Sequence, residues 1–205
     1  MQDAPVSVKI ALLGDSGVGK TSIIQRYTSN IFTPGLTSTT GASYSNKIVH
    51  WNDTILQLDL WDTAGQEKYR SLGRNFYRDA YIIILVYDIT RKESLVDLKE
   101  IWYPDIQKFG EKYNILAVVG NKSDLYEKEE ANEDEARAFA NEIKADFDTV
   151  SAKNGNNIDN LFGRLINKYY EPIFQTKISE STTKKGKTSK INNSKNKAKN
   201  KKKWC

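Results

Sequence analysis

The architecture of this chain follows from one segment, Gly14-Asp15-Ser16-Gly17-Val18-Gly19-Lys20-Thr21, called the phosphate loop below. It follows the apolar run VKIALL at residues 8–13 and leads into a helical pattern. The glycines allow backbone N–H groups to wrap around an anion at the start of a helix. We expect Lys20 to place its charge on the outer phosphates of a nucleotide and the Thr21 hydroxyl to bind Mg²⁺. The alternative, a glycine-rich turn that matches by chance, is disfavoured by the strand and helix patterns on either side.

Strand and helix patterns alternate along the chain on both sides of the phosphate loop. Three strands are continuous apolar runs, typical of parallel strands covered on both faces, whereas Ile55–Trp61 alternates and is expected to pair with Ser43–Trp51 as an antiparallel hairpin. Pro104 should interrupt the third helix. The pattern predicts a mostly parallel α/β sheet with one antiparallel strand. The predicted strands are Val6–Leu13, Ser43–Trp51, Ile55–Trp61, Ile82–Tyr87, Ile115–Val119 and Phe147–Val150; the predicted helices are Lys20–Tyr27, Leu72–Asp79, Lys92–Phe109, Asn132–Ile143 and Ile158–Tyr170.

The composition indicates an acidic body with a basic tail. The 205 residues are 39% hydrophobic and include one cysteine, which excludes an internal disulfide and favours a reducing compartment. Residues 181–205 contain ten of the 31 Lys and Arg residues and none of the 26 Asp and Glu residues. Such a segment buries too little apolar surface to fold. We therefore predict a nucleotide-binding domain at residues 1–175 and a disordered Lys-rich tail at residues 176–205.

Two further motifs are candidates for reading the base. Asn121-Lys122-Ser123-Asp124 follows a predicted strand, at the sheet edge where α/β proteins bind ligands. The Asp124 carboxylate only accepts hydrogen bonds, so it matches the adjacent N1–H and N2–H₂ donors of guanine and repels the bare N1 of adenine. We expect Asn121 to donate to the purine and the Lys122 stem to lie along the ring. Ser151-Ala152-Lys153 is expected to present the Ala152 N–H to a base oxygen. A solvated turn would fit either motif alone, and their order behind the phosphate loop favours guanine.

The segment Trp61-Asp62-Thr63-Ala64-Gly65-Gln66-Glu67 is a candidate sensor of a third phosphate. Asp62 can hold Mg²⁺ through water, and the Gly65 N–H can approach the terminal phosphate because glycine has no Cβ. Gln66 can orient an attacking water through its amide. Thr39, upstream in a turn-rich stretch, is expected to supply a second hydroxyl to Mg²⁺, although a plain loop threonine is the alternative there.

The ordered motifs GDSGVGKT, Thr39, WDTAGQE, NKSD and SAK resemble the Ras superfamily of small GTPases. Ser16, WDTAGQE and the YRSL and FYR that follow are similar to its Rab branch, and the resemblance covers about residues 6–172. It implies an α/β P-loop small G domain, with a mostly parallel six-stranded sheet, one antiparallel strand and flanking helices. It also implies a Rab-like molecular switch that binds and hydrolyses GTP, with Mg²⁺, and recruits effectors in vesicle and membrane trafficking.

The resemblance assigns roles to individual residues. Phe32 matches the aromatic that packs edge-on against guanine, and Leu36 stands where many relatives carry tyrosine, which removes one hydroxyl near the terminal phosphate. The implied catalytic residues are Lys20, Thr39, Gly65 and Gln66, and the implied metal ligands are Thr21, Thr39 and Asp62. The implied nucleotide contacts are Asp15, Ser16, Gly17, Val18, Gly19, Lys20, Thr21, Ser22, Phe32, Thr39, Gly65, Asn121, Lys122, Asp124, Ser151, Ala152 and Lys153.

The resemblance also implies protein partners. Tyr44, Trp61 and Phe76 match an exposed aromatic triad that Rab proteins offer to effectors, and packing within the sheet is the alternative for these three. Exchange factors and an activating protein are expected, because the chain offers no obvious arginine finger and intrinsic turnover should be slow. A nucleotide-locked scaffold that does not hydrolyse GTP is a second hypothesis. A nucleic-acid-binding protein driven by the lysine tail is a third, but we expect no nucleic acid, because no folded basic face is predicted.

The C-terminus predicts membrane attachment. Cys205 follows Lys201-Lys202-Lys203-Trp204 at the end of the sequence, so we expect no C-a-a-X box. A terminal cysteine is similar to the Rab style of geranylgeranyl attachment, with one site where two are usual; an unmodified thiol is the alternative. One isoprenoid binds membranes only marginally, and the lysines can supply the second signal. We expect reversible attachment to the cytoplasmic face of intracellular membranes, with a lean towards endosomal ones, and cycling with the cytosol.

Overall fold

The computed structural model describes residues 4–36, 39, 43–63, 77–109, 115–173 and 175. They divide into two compact units, of which the first ends at Leu165 and the second begins at Ile166. In the second unit, residues 166–173 are helical. Across the described residues, no helix combines the length and the apolar character that crossing a bilayer requires.

The first unit contains a six-stranded sheet with strand order β2-β3-β1-β4-β5-β6. The β2–β3 hairpin is antiparallel, and every other neighbouring pair is parallel, which confirms the predicted fold class. The predicted alternation of side chains along β3 is also confirmed, because Leu56, Leu58 and Leu60 lie on one face of the strand and are fully buried. The strands are β1 Val6–Leu13, β2 Ser43–Trp51, β3 Thr54–Asp62, β4 Ile82–Asp88, β5 Ile115–Asn121 and β6 Asp146–Thr149.

The described helices of the first unit follow the predicted pattern, apart from one interruption and a 3₁₀ helix at Ser123–Lys128 that was not predicted. Within the predicted helix at Lys92–Phe109, a π-helical turn at Leu98–Trp102 separates two α-helical parts, and the Tyr103 N–H bonds to the Leu98 carbonyl. Pro104 explains the interruption, because its ring lacks an N–H and crowds the preceding turn. The helices are α1 Lys20–Ser29, α2 Lys92–Asp97, α3 Tyr103–Phe109, α4 Glu133–Glu142 and α5 at residues 158–165. Most of the predicted helix Leu72–Asp79 lies outside the described residues.

The parallel core strands place the candidate motifs side by side. All seven residues of β4 are buried, as expected for a strand covered on both faces. Because β1, β4 and β5 are parallel neighbours, their carboxyl ends meet at one edge of the sheet. The phosphate loop follows β1, and the NKSD motif begins at the end of β5. Open α/β sheets bind ligands at this edge, so the fold itself assembles the predicted site.

Candidate functional site

A cavity of about 310 Å³ lies at the carboxyl edge of the sheet. Its walls come from five stretches that are distant in sequence: the phosphate loop with the start of α1, the segment after α1, the residue after β3, the end of β5 with the NKSD motif, and the SAK motif. The lining residues are Ser16, Gly17, Gly19, Lys20, Thr21, Ser22, Phe32, Thr33, Gly35, Leu36, Thr39, Thr63, Asn121, Lys122, Asp124, Leu125, Ala152 and Lys153. Most of the predicted nucleotide contacts therefore share one cavity, with Phe32 and Leu36 in its wall.

Two glycines of the phosphate loop have no room for a side chain. A Cβ on Gly14 would lie 2.1 Å from the Val86 carbonyl oxygen of β4, so only glycine lets the loop leave the sheet here. Gly19 has a φ of +95°, and a Cβ there would lie 2.3 Å from the Asn121 amide nitrogen. Gly19 is also the residue before α1. The first N–H groups of a helix have no partner within it, and no side chain of the N-cap residue bonds to them here. The loop thus brings unsatisfied N–H donors to the cavity, as an anion site requires.

Lys20 is the buried cation of the site. Its side chain is 5% exposed, and its Nζ donates to the carbonyl oxygens of Gly14 at 2.6 Å and Asp15 at 2.8 Å. Burial lowers the pKa of Lys20 to about 8, while the charges of Asp62 and Asp15 act in the opposite direction. The ammonium is therefore charged at neutral pH and is held inside the loop that would surround the phosphates.

Three oxygen-bearing side chains converge beside Lys20. The hydroxyls of Thr21 and Thr39 lie 3.0 Å apart, and Thr21 donates to the Asp62 carboxylate at 2.6 Å. Burial raises the pKa of Asp62, and the hydrogen bond from Thr21 and the charge of Lys20 oppose that effect. The second oxygen, Asp62 Oδ1, is buried and has no hydrogen-bond partner in the described part of the chain. A carboxylate with a vacant oxygen beside two hydroxyls is a hard donor set, which fits Mg²⁺.

Asp124 is held by partners on both of its oxygens. Its Oδ1 accepts a hydrogen bond from the Ser151 hydroxyl at 2.5 Å, and its Oδ2 lies 3.7 Å from Lys153 Nζ. Ser151 is fully buried, so its hydroxyl is a fixed donor. These contacts hold the Asp124 carboxylate at the cavity wall, and Ser151, also predicted as a nucleotide contact, donates to Asp124 and is not among the residues that line the cavity.

Asn121 connects three segments of the site. Its Nδ2 donates to the Val18 carbonyl at 2.8 Å, and its Oδ1 accepts from the Ala152 N–H at 3.2 Å. The side chain is 2% exposed and joins the phosphate loop to the SAK motif at the cavity wall. The sequence predicted that Asn121 and the Ala152 N–H would face the base, and in the structure each also has a partner in the protein.

Asp88 is a functional residue that the sequence motifs missed. It ends β4, is 5% exposed, and its carboxylate pairs with Lys122 Nζ at 2.5 Å. The Thr90 hydroxyl and N–H donate to its other oxygen. Lys122 itself has a left-handed backbone, with a φ of 69°. Asp88 thereby fixes the ammonium of Lys122 while the stem lines the cavity, and its position at the end of a buried strand was the only sequence signal for it.

Asp15 is engaged on the outer side of the phosphate loop. Its carboxylate accepts from the Trp102 indole N–H at 3.0 Å and lies 3.4 Å from Arg91 Nη2. Arg91 also donates to the Ser16 carbonyl at 3.2 Å. A carboxylate in a loop that binds anions would repel phosphate. The hydrogen bond from Trp102 and the ion pair with Arg91 hold the Asp15 carboxylate on the outer side of the loop. The sequence predicted Asp15 as a nucleotide contact, whereas the structure does not place it in the cavity lining.

Some of the predicted functional residues lie outside the part of the chain that the structure describes. Gly65, Gln66 and Phe76 lie outside the described residues, as does the tail with Cys205.

Tyr44 and Trp61 are described, and their rings lie 5.3 Å apart on the β2–β3 hairpin. Tyr44 is 47% exposed, and its hydroxyl donates to Asp59 at 2.6 Å. This pair therefore offers an aromatic surface and is not part of the buried core.

Comparisons with known proteins agree with this geometry. A family model described as the Ras family matches residues 9–171. The chain is 41% identical over 155 residues to human Ras-related protein Rab-22A, and the matched region covers 76% of this chain and 79% of the relative. It is 39% identical over 162 residues to human Ras-related protein Rab-30, covering 79% of both chains. It is 40% identical over 157 residues to Ras-related protein Rab5 of Nicotiana tabacum, covering 77% of this chain and 78% of the relative.

Proposed function

The chain belongs to the Ras family of small GTPases, and from that premise we propose that its cavity is the nucleotide site of a Rab-like switch. As a GTPase it converts GTP to GDP and phosphate, and as a Rab-like protein it acts in membrane trafficking. One observation carries the proposed site: the buried Lys20, the Thr21 and Thr39 residues and the fixed Asp124 carboxylate border the same cavity, and Thr21 donates to the buried Asp62 beside it.

Phosphate binding rests on the phosphate loop and Lys20. The loop N–H groups and the first turn of α1 donate to the phosphates, and Lys20 exchanges its bonds to the Gly14 and Asp15 carbonyls for bonds to phosphate oxygens. The cost of burying this ammonium is offset when it meets a charged ligand. Little covalent chemistry is required of the protein in phosphoryl transfer, so positioning and charge stabilisation account for catalysis.

Base selection rests on Asp124. Its carboxylate accepts from the two adjacent N–H donors of guanine, and the hydrogen bond from Ser151 keeps it in that orientation. Phe32 and the Lys122 stem supply apolar surface for the ring from the cavity wall. Adenine presents a lone pair where guanine presents N1–H, so ATP should be rejected.

The response to the third phosphate rests on Thr21, Thr39 and Asp62, which would hold Mg²⁺. The metal, when bound, neutralises charge on the phosphate oxygens. Thr39 and Gly65 contact the terminal phosphate side of the site, and Gln66 orients the attacking water. Hydrolysis removes the group that both segments contact and releases them, which is how effectors distinguish the two states.

Membrane attachment completes the proposed function. Cys205 carries the isoprenoid, and the ten lysines of residues 181–205 supply attraction to an anionic leaflet. The protein then cycles between cytosol and the cytoplasmic face of endosomal membranes, with exchange factors, an activating protein and effectors as partners. In cells that prenylate the protein, Cys205→Ser should leave vesicles in a flotation assay, and a Ser194→Ala variant should stay bound. Equal flotation of Cys205→Ser and the parent would exclude lipid attachment at Cys205.

Single-turnover hydrolysis tests the proposed site. Purified protein loaded with GTP should convert it to GDP slowly, on the order of 10⁻⁴–10⁻² s⁻¹ without an activating protein. Gln66→Leu should bind GTP with parental affinity and hydrolyse it about tenfold or more slowly, because leucine cannot orient water. Gln57→Leu, on β3, is the matched control and should hydrolyse at the parental rate. Competition by ATP as strong as that by GTP would contradict the guanine assignment, and an unchanged rate in Gln66→Leu would contradict the role of Gln66.

A further inference from the structure

Arg26 connects three parts of the nucleotide cavity without lining it. It lies in the last turn of α1, the helix that begins with Lys20. Its Nε donates to the Ala152 carbonyl at 2.9 Å, and its Nη2 donates to the Lys153 carbonyl at 2.6 Å. Its Nη1 donates to both the carbonyl, at 2.9 Å, and the side-chain oxygen, at 2.8 Å, of Asn30. One guanidinium therefore makes four hydrogen bonds to two separate chain segments.

The two segments are the ones that border the base end of the cavity. Ala152 and Lys153 line it directly, next to the Ser151 hydroxyl that holds Asp124. Asn30 ends α1 in a left-handed conformation, and the chain leads from it to Phe32 in the cavity wall. Arg26 thus ties the SAK motif and the approach to Phe32 to the helix that carries Lys20.

The SAK loop closes around the Arg26 side chain. The Gly155 N–H bonds to the Ser151 carbonyl at 2.8 Å, which makes a tight turn. Gly155 has a φ of +83°, and a Cβ at this position would be in van der Waals contact with Arg26 Cδ, at 3.5 Å. The carbonyls of Ala152 and Lys153 then accept hydrogen bonds from two nitrogens of the planar Arg26 guanidinium. The single nitrogen of a lysine ammonium cannot reproduce the spacing of these two donors.

We propose that Arg26 is a positioning residue that slows guanine-nucleotide release by fixing the SAK motif. The proposal rests on the proposed function of the cavity. Arg26 touches neither phosphate nor base, so it acts through the backbone of Ala152, whose N–H is the expected donor to the base oxygen at C6. Without the guanidinium, the two carbonyls lose their donors and the loop loses its fixed distance from α1, so the base dissociates faster.

The rate of nucleotide release tests this role in the full-length protein. Fluorescently labelled GDP would be chased with excess unlabelled GDP in the parent, Arg26→Gln, Arg26→Lys and the control Arg137→Gln. Arg137 is an exposed arginine that pairs with Glu133 on α4 and does not line the cavity. Arg26→Gln should release GDP about tenfold faster, because hydrogen bonds from a charged donor are lost. Arg26→Lys should fall between Arg26→Gln and the parent, because it keeps the charge and stem but not the fork, and Arg137→Gln should match the parent.

A second measurement separates positioning from general destabilisation. The affinities of GDP and of 6-thioguanosine diphosphate, which keeps the N1–H and N2–H₂ donors but carries a weakly accepting sulfur at C6, are compared in each variant. If Arg26 places the Ala152 N–H, Arg26→Gln should reduce the preference for GDP several-fold, because the analogue has only a weak hydrogen bond at C6 to lose. Equal losses for both nucleotides, or parental release of GDP, would overturn the proposal. Should Arg26→Gln fail to fold, Arg26→Lys carries the same comparison, and a parent protein that binds no GDP would contradict the proposed function itself.

Discussion

The two ends of the nucleotide cavity differ in how fully their polar groups are paired. At the base end, both oxygens of Asp124 have partners in Ser151 and Lys153, and both amide atoms of Asn121 are bonded. At the phosphate end, Asp62 Oδ1 is buried without a hydrogen-bond partner among the described residues. The base end is therefore built by the protein, whereas the phosphate end has a group that a ligand or metal would complete.

This difference separates recognition from switching. A group whose orientation the protein already fixes, such as the Asp124 carboxylate, is expected to bind the base in the same way whether two or three phosphates follow it. A group that lacks a partner in the described part of the protein, such as Asp62 Oδ1, responds to the ligand that is bound. Leaving a buried oxygen unpaired costs free energy, so a ligand or metal that pairs with it favours the state in which it is bound. Substitutions at the base end should therefore affect GDP and GTP alike, and substitutions at the phosphate end should affect them differently.

The largest expected effect is a change of base preference in Asp124→Asn. The asparagine Oδ1 can still accept from Ser151, which leaves its NH₂ group facing the base. That group donates to the exocyclic oxygen of xanthine and clashes with the N2–H₂ of guanine. GDP and GTP affinities should both fall on the order of 100-fold or more, and xanthine nucleotides should gain affinity, as measured by competition against labelled GDP.

The matched control for this change is Asp148→Asn, which alters a carboxylate paired with Arg164 and not part of the cavity. It should leave the order GTP over XTP unchanged. If Asp124→Asn lost GTP affinity much more than GDP affinity, the base end would not be independent of the third phosphate, and the contrast between the two ends would be wrong.

Thr21→Ala should have the next largest effect, and it should be unequal. The substitution removes a hydroxyl that lies 3.0 Å from Thr39 and donates to Asp62. In the presence of Mg²⁺, GTP affinity should fall on the order of 30-fold, and GDP affinity should fall much less. Removing Mg²⁺ with a chelator should abolish most of the difference between variant and parent, and Thr21→Ser, which restores the hydroxyl, should behave as the parent. An equal loss of GDP and GTP would exclude Thr21 as a ligand linked to the third phosphate.

The sequence predicted the fold and most of the cavity because their signals are local. Alternation of Leu56, Leu58 and Leu60 predicted the half-buried β3, and its burial pattern confirms it. The GDSGVGKT segment identifies a loop between a strand and a helix, where adjacent residues do the binding. Parallel strands then bring NKSD and SAK to the same edge, so topology and motif order together were sufficient to place these groups in one cavity.

The residues that the sequence could not supply act through contacts between distant segments. Arg26 bonds to carbonyls more than 120 residues away, and its own neighbours in α1 carry no motif. Trp102, the last residue of the π-helical turn, donates to Asp15, which lies 87 residues away in the sequence. Backbone carbonyls look alike in any sequence, so a side chain that binds them leaves no pattern to read. The physical role of such residues becomes visible only in three dimensions.

Ser151→Ala should weaken both nucleotides by a similar and smaller amount. It removes the hydrogen bond that orients Asp124, and the carboxylate retains its contact with Lys153. We expect GDP and GTP affinities to fall about tenfold each, because one hydrogen bond to a charged group is lost. Ser7→Ala is the matched control, since Ser7 donates to Asp59 in a similar pair that is not part of the cavity. A loss confined to GTP would assign Ser151 to the phosphate end.

The smallest expected effect is that of Trp102→Phe, which probes the outer side of the phosphate loop. Phenylalanine keeps a ring for packing and removes the indole N–H that donates to Asp15 Oδ1 at 3.0 Å. Arg91 still pairs with the other oxygen at 3.4 Å, so the carboxylate is only partly freed. Its charge then opposes the phosphates more strongly, and GTP carries more negative charge than GDP. GTP affinity should fall about threefold and GDP affinity less, and the difference should shrink at high salt.

A double-mutant cycle with Asp15→Ala identifies the cause of that effect. If Trp102 acts by holding the Asp15 carboxylate, Trp102→Phe should change GTP affinity little once Asp15 is alanine. The cycle should then give a coupling of about 0.5–1 kcal/mol, in line with one hydrogen bond to a partly buried carboxylate. Additive effects of the two substitutions would mean that Trp102 contributes through packing alone. The outer contacts of the phosphate loop would then have no part in the response to the third phosphate, and that response would rest on Lys20, Thr21, Thr39 and Asp62.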